Sequence, residues 1–317
     1  MGQCCCSEGA STLRFALKFP HGARGATLHG DKFVPCDINA WLQTVFVPQN
    51  TQLAWTSWVV YNDDAPPVNG GDAPARAYGG HCKGIVAWND SHMAWLVHSV
   101  PNFPAAFAPP AVGPVDPRAL VYGQSFLCVE FPADAARRAA VLRQLRLMRA
   151  HVTPGLGRYG PAEADILRGA VAPGAADTSG GISTVQLTDA VSHIAKPPGA
   201  RVDVYEHVAG LAANELMVKT WVRGQALPDT TGDRGTVRTV ARVAVNSDRW
   251  DAGQDHSKWA VHSKWAVHSK WAVHSETPSY AFVGDLNRMA SQLARGGGGL
   301  LCRDAALAAA LRSIIDQ

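Results

Sequence analysis

The sequence predicts a mixed α/β (α+β) fold, built from layered sheets with flanking helices. Strand-like and helix-like segments alternate through both halves of the 317 residues, 47% of which are hydrophobic and only 17% charged. This much apolar material can form a sizeable core, so a wholly disordered chain is excluded. No run of about 18 apolar residues occurs, so no transmembrane helix and no membrane partner are expected.

The N-terminal half, taken as residues 1–150, carries mainly strand signals. Apolar segments rich in β-branched and aromatic residues predict strands at 15–19, 53–61, 84–88, 94–99 and 124–131. The polar stretch between the third and fourth segments predicts a hairpin. Residues 62–80 and 101–118 are rich in proline and other turn residues and are expected to form loops. An apolar stripe with an aspartate in its first turn predicts an amphipathic helix over 134–151.

The C-terminal half, residues 151–317, is expected to form a second unit. Residues 153–181 resemble a loop, 203–213 a helix and 216–222 a strand. The segment 236–245 alternates apolar and polar residues with period two, which predicts one half-buried strand. An Ala/Leu-rich helix is expected over 304–315.

The charge of the chain depends strongly on its histidines. The formal net charge is +3 with neutral histidine, and protonation of all 12 histidines would raise it to +15. A polyanionic partner is therefore favoured in acid. Seven cysteines occur without a CxxC pair, which argues against a zinc ribbon.

The segment 256–273 repeats HSKWAV three times. A six-residue unit is too short for a solenoid, and its even length means that a slip by one unit preserves the face of every strand residue. Histidines six residues apart on a strand lie about 20 Å apart, so neighbouring copies cannot share one ion. No metal ion and no other cofactor are expected.

A His-x-Lys pair is the feature that indicates chemistry. It occurs early as His81 and Lys83, and again in each copy of the repeat. Residues at i and i+2 of a strand point to one face. A neutral imidazole can attack phosphorus, an ammonium can neutralise the phosphate oxygens, and a second, protonated imidazole can donate to the leaving oxygen. Such a pair of histidines needs no metal and works best near or below the imidazole pKa of about 6.5.

Longer blocks around these motifs resemble one known family. They are YND at 61–63, GHCKGIVAWNDSHMAWLVHSVPNFP at 80–104, YGQSFLC at 122–128, DHSKW at 255–259, GDLNR at 284–288 and RGGGGLLC at 295–302. In this order they are similar to the deoxyribonuclease II family, a branch of the phospholipase D superfamily. The resemblance covers most of the chain.

The resemblance implies a phospholipase D-like fold with two pseudo-symmetric mixed-sheet halves that face each other. It also implies an acid endodeoxyribonuclease that needs no divalent cation, forms a phosphohistidine intermediate and leaves 3′-phosphate ends. DNA is then the partner, contacted through its backbone and cut largely without sequence preference. Two alternatives stay open: another phospholipase D-type phosphodiesterase, and an inactive DNA-binding homologue.

Family likeness further suggests a secreted, periplasmic or lysosome-like location, although no signal peptide is visible at the start of the sequence. The location therefore stays unknown. A homo-oligomer is compatible with the sequence.

The same resemblance nominates site residues beyond the motifs. The superfamily places an asparagine after each His-x-Lys motif, and Asn102 and Asn287 match those positions. His98, Ser99 and Asp285 lie beside them and are candidates for binding the substrate phosphate.

The identity of the working late copy is ambiguous. The interval from His268 to Asn287 is 19 residues, close to the 21 from His81 to Asn102, which favours His268 and Lys270 in the third copy. The interval from His256 is 31 residues, yet Asp255 precedes only this first copy and completes the family's DHSKW pattern. His256 and Lys258 are therefore the alternative pair, and a mixture of registers stays open.

Overall fold

A computed structural model of the chain describes residues 11–48, 54–63, 79–153, 155–168, 181–211, 215–233, 235–262 and 279–316. Two eight-stranded sheets dominate this part, and α-helices pack on them. The predicted mixed α/β (α+β) class is therefore confirmed.

The first half of the chain forms one antiparallel sheet. Its elements are β1 (Thr12–Lys18), β2 (Arg24–His29), β3 (Lys32–Asp37), α1 (Ile38–Thr44), β4 (Ser57–Asn62), β5 (Gly84–Trp88), β6 (His92–His98), β7 (Phe107–Ala108), β8 (Ala111–Val112), β9 (Gln124–Pro132), α2 (Ala135–Met148) and β10 (His151–Val152). The sheet order is β10-β4-β5-β6-β9-β1-β2-β3, with β7 and β8 paired separately.

The second half forms the other large sheet and a small one. Its elements are α3 (Pro161–Arg168), β11 (Ser183–Thr188), β12 (Val191–Lys196), α4 (Val204–Leu211), β13 (Glu215–Lys219), β14 (Thr230–Gly232), β15 (Gly235–Thr239), β16 (Arg242–Val245), β17 (Asp248–Asp251), β18 (Trp259–His262), β19 (Tyr280–Gly284), β20 (Gly297–Arg303), α5 (Ala305–Ser313) and β21 (Ile315–Asp316). The large sheet is ordered β11-β12-β20-β19-β18-β13-β15-β14, and β17-β16-β21 form the small sheet.

The strongest sequence signals produce the expected elements. Strands β5 and β6 pair as the predicted hairpin. Helix α2 begins where Asp134 accepts a hydrogen bond from the Arg137 amide, which satisfies one of the free N–H groups of the first turn. It ends at Arg149, whose φ of 54° is the left-handed conformation that commonly closes a helix.

Two predictions need correction. The segment 236–245 is not one strand, because β15 belongs to the large sheet whereas β16 belongs to the small one. Both strands keep the period of two, and that period carries no information about which sheet a strand joins. Residues 153–181 are not wholly a loop, since α3 begins at Pro161, a residue whose fixed φ suits the first turn of a helix.

The two large sheets pack through a shared core. Helix α2 buries an apolar stripe that includes Val141 and Leu145. On the same helix, Gln144 donates a hydrogen bond to Ser183 of β11 over 2.8 Å. Trp95 of β6 stacks on His193 of β12 with the ring centroids 4.2 Å apart. Contacts of this kind fix one sheet against the other and so fix the ends of their strands.

The described α-helices do not include one whose length and apolarity would allow it to cross a membrane.

Strand β20 passes unusually close to its neighbours because glycines form its first half. A Cβ added to Gly299 would lie 2.5 Å from the Val283 carbonyl oxygen and 2.6 Å from the Gly284 Cα. These are backbone atoms of β19 and cannot move aside without disturbing the sheet. Strand β19 ends directly before Asp285, so this packing also sets the position of that candidate site residue.

We expect Gly299→Ala to reduce the free energy of unfolding by about 1–3 kcal/mol, because it overpacks a sheet interior. Thermal denaturation at neutral pH measures this loss. The matched control is Gly232→Ala, since a Cβ there meets nothing within 4 Å. Equal melting temperatures for the two variants would contradict the close approach of β19 and β20.

Candidate active site

The early His-x-Lys motif lies in the connection that enters β5. The His81 amide donates to the Gly296 carbonyl over 2.7 Å, which ties the motif to the opposite half of the molecule. The Lys83 amide donates to the Asp285 side chain over 3.1 Å. The early motif is therefore held by residues about 200 positions further along the chain.

The ring of His81 has a defined tautomer. Its Nδ1 lies 2.8 Å from the Asp285 carbonyl oxygen. A carbonyl oxygen only accepts hydrogen bonds, so Nδ1 carries the proton. In the neutral ring, Nε2 then keeps its lone pair. Burial, together with the nearby Lys83 charge, holds the pKa of His81 well below its usual value, which favours this neutral form.

Asp63 lies between the two early motif side chains. Its Oδ2 accepts a hydrogen bond from Lys83 Nζ over 2.6 Å and lies 3.6 Å from His81 Nε2. Burial opposes ionisation of this carboxyl, but the charge of Lys83 and its hydrogen bond outweigh burial, and the pKa of Asp63 is well below its usual value. Asp63 is thus a buried carboxylate.

The first late copy occupies the matching position before β18. The His256 amide donates to the Gly123 carbonyl over 2.8 Å, and the Lys258 amide donates to Ser125 Oγ over 3.2 Å. Lys258 Nζ donates to the His256 carbonyl over 2.8 Å. This copy is therefore held by the first half of the molecule, just as the early motif is held by the second.

Two aromatic rings enclose His256. Tyr122 stacks on it with the ring centroids 4.1 Å apart and an interplanar angle of 15°, and Trp221 lies at 4.2 Å with an angle of 47°. Burial, helped by the charge of Lys258, lowers the pKa of His256 to about 3. In the absence of an anion, His256 is therefore neutral over most of the acid range.

Asp255 anchors the first late copy. Its carboxylate accepts hydrogen bonds from Trp250 Nε1 and from the Ser257 amide, each over 2.8 Å. It also pairs with the fully buried Lys219 at 3.3 Å. A Cβ at Gly123 would lie 2.7 Å from Asp255 Oδ1, so only a glycine lets the two strand ends approach this closely.

The two motifs form one electrostatic cluster. The charge of Lys258 lowers the pKa of His81, and the charge of Lys83 lowers the pKa of His256. Burial and the nearby Lys83 together lower the pKa of Lys258 to about 7. Two ammonium groups and two imidazoles therefore share a buried region, an arrangement that suits the binding of an anion.

Asp285 is the acidic member of the cluster. Burial raises the pKa of its carboxyl to about 8, despite the opposing charges of Lys83 and Lys258. In acid this group is therefore a neutral carboxylic acid that can donate a hydrogen bond. Of the sequence-nominated residues that the structure describes, Asp285 is the one that touches both His81 and Lys83.

The two nominated asparagines differ in their surroundings. Asn287 is buried, and among the described residues its Oδ1 has no hydrogen-bond partner. Asn102 is exposed and has a φ of 52°, so it lies in a turn. The structure thus brings Asn287, but not Asn102, into a buried setting.

The nominated pair at the end of β6, His98 and Ser99, is buried, and the His98 amide donates to the Lys83 carbonyl over 3.4 Å. The ring of His98 packs edge-on to Phe103 with centroids 5.0 Å apart, and burial lowers its pKa to about 3. Ser99 Oγ donates to Gln124 over 2.6 Å and accepts from the Ser125 amide over 2.9 Å. These bonds use the donor and one acceptor position of the Ser99 hydroxyl.

The remaining nominated residues, His268 and Lys270, lie outside the described residues. Sequence reasoning did not nominate Asp63, Tyr122, Trp221 or Arg295 as site residues. Three of them lie inside the blocks that carry the family resemblance, and this could have marked them as candidates. Their positions beside the two motifs arise only from the fold. In the part of the chain that the structure describes, no cluster of three or more His, Cys, Asp or Glu side chains could hold a metal ion.

Comparisons with known proteins place the chain in a family. The sequence model of the family Deoxyribonuclease II matches residues 36–317. The chain is 29% identical to a Burkholderia pseudomallei protein named for deoxyribonuclease-2, over 81% of this chain and 70% of that protein. It is 28% identical to deoxyribonuclease-2-alpha of Rattus norvegicus, over 86% of this chain and 75% of that protein. It is also 28% identical to cell-death-related nuclease 7 of Caenorhabditis elegans, over 77% and 63%.

We expect acid to destabilise the fold through its buried neutral histidines, and His98→Phe to weaken this effect. The pKa of His98 is about 3 in the folded state and about 6.5 in an unfolded chain. Between these values only the unfolded chain binds the proton, so stability falls by about 1.4 kcal/mol for each unit that the pH decreases. Chemical denaturation at several values between pH 4 and pH 7 measures the slope.

The control for this prediction is His29→Phe, because His29 is exposed. The His98 variant should show a shallower slope than the parent, and the His29 variant should match the parent. A His98 variant with the parental slope would show that His98 titrates normally in the folded protein.

Proposed function

The chain belongs to the deoxyribonuclease II family and is a nuclease of the hydrolase class, and from this premise we propose that it is an acid endodeoxyribonuclease that needs no metal ion. One observation carries the proposal. Two His-x-Lys motifs from opposite halves of the chain, here taken as 1–150 and 151–317, meet in one buried electrostatic cluster.

In the first proposed step, His81 is the nucleophile. Its Nδ1 proton is held by the Asp285 carbonyl, which leaves the lone pair of Nε2 free to attack phosphorus. The bond from Nε2 to phosphorus forms as the bond from phosphorus to the 5′ oxygen breaks. His256, protonated, gives its proton to that oxygen. Lys83 and Lys258 neutralise the non-bridging oxygens.

In the second proposed step, water releases the product. His256, now neutral, takes a proton from the attacking water, and the bond between Nε2 and phosphorus breaks. The product is a 3′-phosphate end, and both histidines return to their starting states. We propose that Asp285, which touches His81 and Lys83, and the buried Asn287, whose Oδ1 has no hydrogen-bond partner among the described residues, hold phosphate oxygens.

The acid optimum follows from charge. The pKa of Lys258 is about 7 and that of Asp285 is about 8, so below pH 6 the lysine is charged and the carboxyl is neutral. The cluster then carries more positive charge than it does at neutral pH and binds a phosphodiester better. The bound anion in turn raises the pKa of His256, which allows that residue to hold its proton.

We propose that the first copy, His256 and Lys258, supplies the late motif. Its backbone bonds to Gly123 and Ser125 repeat those that the early motif makes with Gly296 and Asp285. This choice differs from the spacing argument, which favours His268 and Lys270 in the third copy.

We expect DNA to be bound through its backbone, because phosphate contacts carry no base information. Cleavage should then be largely independent of sequence. The same cluster could serve another phosphodiester, or bind DNA without cutting it, and the experiments below separate these functions.

We expect the protein to nick supercoiled plasmid in EDTA at pH 5 and to do so far less at pH 8. Alanine at His81 or at His256 should reduce the rate by about 10³-fold or more, since each removes a group that takes part in bond breaking. His268→Ala is the matched control from the same repeat and should keep parental activity.

Three results would contradict this prediction. Loss of activity in His268→Ala with retention in His256→Ala would assign the third copy. Cleavage only with added magnesium would remove the metal-independent mechanism. DNA retardation at pH 5 without cleavage under any condition would favour the inactive DNA-binding homologue.

We expect cleaved ends to carry a 3′-phosphate, and the intermediate to be phosphorylated on Nε2 of His81. A polymerase should fail to extend the ends until a phosphatase treats them. Rapid alkaline quenching during turnover, digestion of the attached DNA and mass spectrometry should locate a nucleotide, joined through its 3′-phosphate, on the peptide that contains His81. Such a nucleotide on the His256 peptide instead would exchange the roles of the two histidines.

A further inference from the structure

The two motifs occupy equivalent positions in the two large sheets. In β4, Tyr61 pairs with Gly84, the residue after Lys83; in β13, Lys219 pairs with Trp259, the residue after Lys258. The order β4-β5-β6-β9-β1 in one sheet matches β13-β18-β19-β20-β12 in the other. The neighbours of the two histidines can therefore be compared position by position.

Equivalent positions hold different chemistry. Asp63 and Trp221 each lie two residues beyond the paired strand residue, and each approaches the histidine of its own half. Tyr122 and Arg295 each precede the glycine whose carbonyl receives the opposite histidine's amide. Arg295 Nη2 donates to the Gly80 carbonyl over 2.8 Å, directly before His81. The neighbours of His81 at these positions, Asp63 and Arg295, are therefore charged, whereas those of His256, Trp221 and Tyr122, are aromatic.

We propose that Asp63 is a positioning residue for the early motif, holding the Lys83 ammonium in place and supplying the negative charge that His81 needs during catalysis. This inference rests on the proposed function and names a residue that motif reasoning had left out. The equivalent residue in the other half, Trp221, holds His256 by ring contact and supplies no charge.

The geometry gives Asp63 both parts of this role. Lys83 is buried and has a flexible four-carbon stem, so a short bond to a fixed carboxylate removes its freedom. When Nε2 of His81 bonds to phosphorus, Nδ1 keeps its proton and the ring becomes cationic. A carboxylate oxygen 3.6 Å from Nε2 stabilises that charge.

Among the charged groups that act on the His81 ring, Asp63 favours protonation of the ring and the cationic side chains oppose it. Lys83, Lys258 and Arg295 face the ring and lower its pKa in addition to burial, and Asp63 raises it. The Asp285 side chain, also adjacent, is neutral in acid because burial raises its pKa to about 8. Removing the Asp63 charge should therefore make His81 harder to protonate.

The test compares Asp63→Asn, which keeps the shape but not the charge, with Asp63→Glu, which keeps the charge. Trp221→Phe is the matched control from the equivalent position. The first readout is plasmid nicking in EDTA as a function of pH. The second is the rate at which diethyl pyrocarbonate modifies His81, followed by peptide mass spectrometry in a His256→Ala background; this rate follows the neutral ring and needs no nuclease activity.

We expect Asp63→Asn to lower kcat about tenfold or more with little change in KM, and to move the pH midpoint of His81 modification downward by about half a unit or more. Asp63→Glu should keep kcat within about tenfold of the parent and should keep the parental midpoint. Trp221→Phe should leave the His81 midpoint unchanged, whatever it does to the rate.

A folded Asp63→Asn protein with the parental kcat and midpoint would overturn the inference. An equal shift of the His81 midpoint in Trp221→Phe would also overturn it, because it would indicate that either substitution loosens the packing of the whole site. If Asp63→Asn does not fold, a folded Asp63→Glu protein as inactive as His81→Ala would overturn it, and retained activity would support it. If the parent cuts no DNA in EDTA, the proposed function fails, and His81 modification still decides whether Asp63 sets the protonation of that ring.

Discussion

The burial of two lysines in one cluster is the constraint on which the rest of this structure depends. Lys83 and Lys258 are both removed from water, and burial together with the charge of Lys83 makes Lys258 harder to charge. An unpaired buried ammonium is costly, so the fold must supply partners. It gives Lys83 a carboxylate and gives Lys258 the carbonyl of His256. Positive charge remains only partly compensated, and in the proposed function an entering phosphodiester completes the compensation.

In the proposed mechanism, this incomplete compensation is also the source of the preference for acid. Burial lowers the pKa of His256 to about 3, too low for a resting acid at pH 5. The substrate's own negative charge corrects this, because an anion beside the ring favours the imidazolium. In this proposal the proton donor is fully formed only when a phosphate is bound. Protonation and substrate binding would thus assist one another, and alkali would oppose both.

The sequence predicted those parts of the fold and site that depend on local pattern. His81, Lys83 and Asp285 could be nominated because the motif and the blocks around it resemble a family, although the structure places both described motifs directly before a strand and not on one. The contacts that define their chemistry come from other places in the chain, as with the Gly296 carbonyl that receives the His81 amide. Such contacts exist only once two sheets have packed. Likewise β2 and β3 escaped prediction because they are partly exposed and lack a continuous apolar run.

The triplicated segment shows most clearly what a sequence pattern cannot determine. A slip of six residues preserves the facing of every repeated side chain, so alternation alone permits all three registers. The residue before the histidine breaks this degeneracy: it is aspartate in the first copy and valine in the other two. The Asp255 carboxylate accepts from Trp250 and Ser257 and pairs with Lys219. A slipped register would put valine there and leave the buried Lys219 charge unpaired, at a cost of about 3–5 kcal/mol. One charged residue outside the repeated unit therefore selects the register that the repeat itself leaves open.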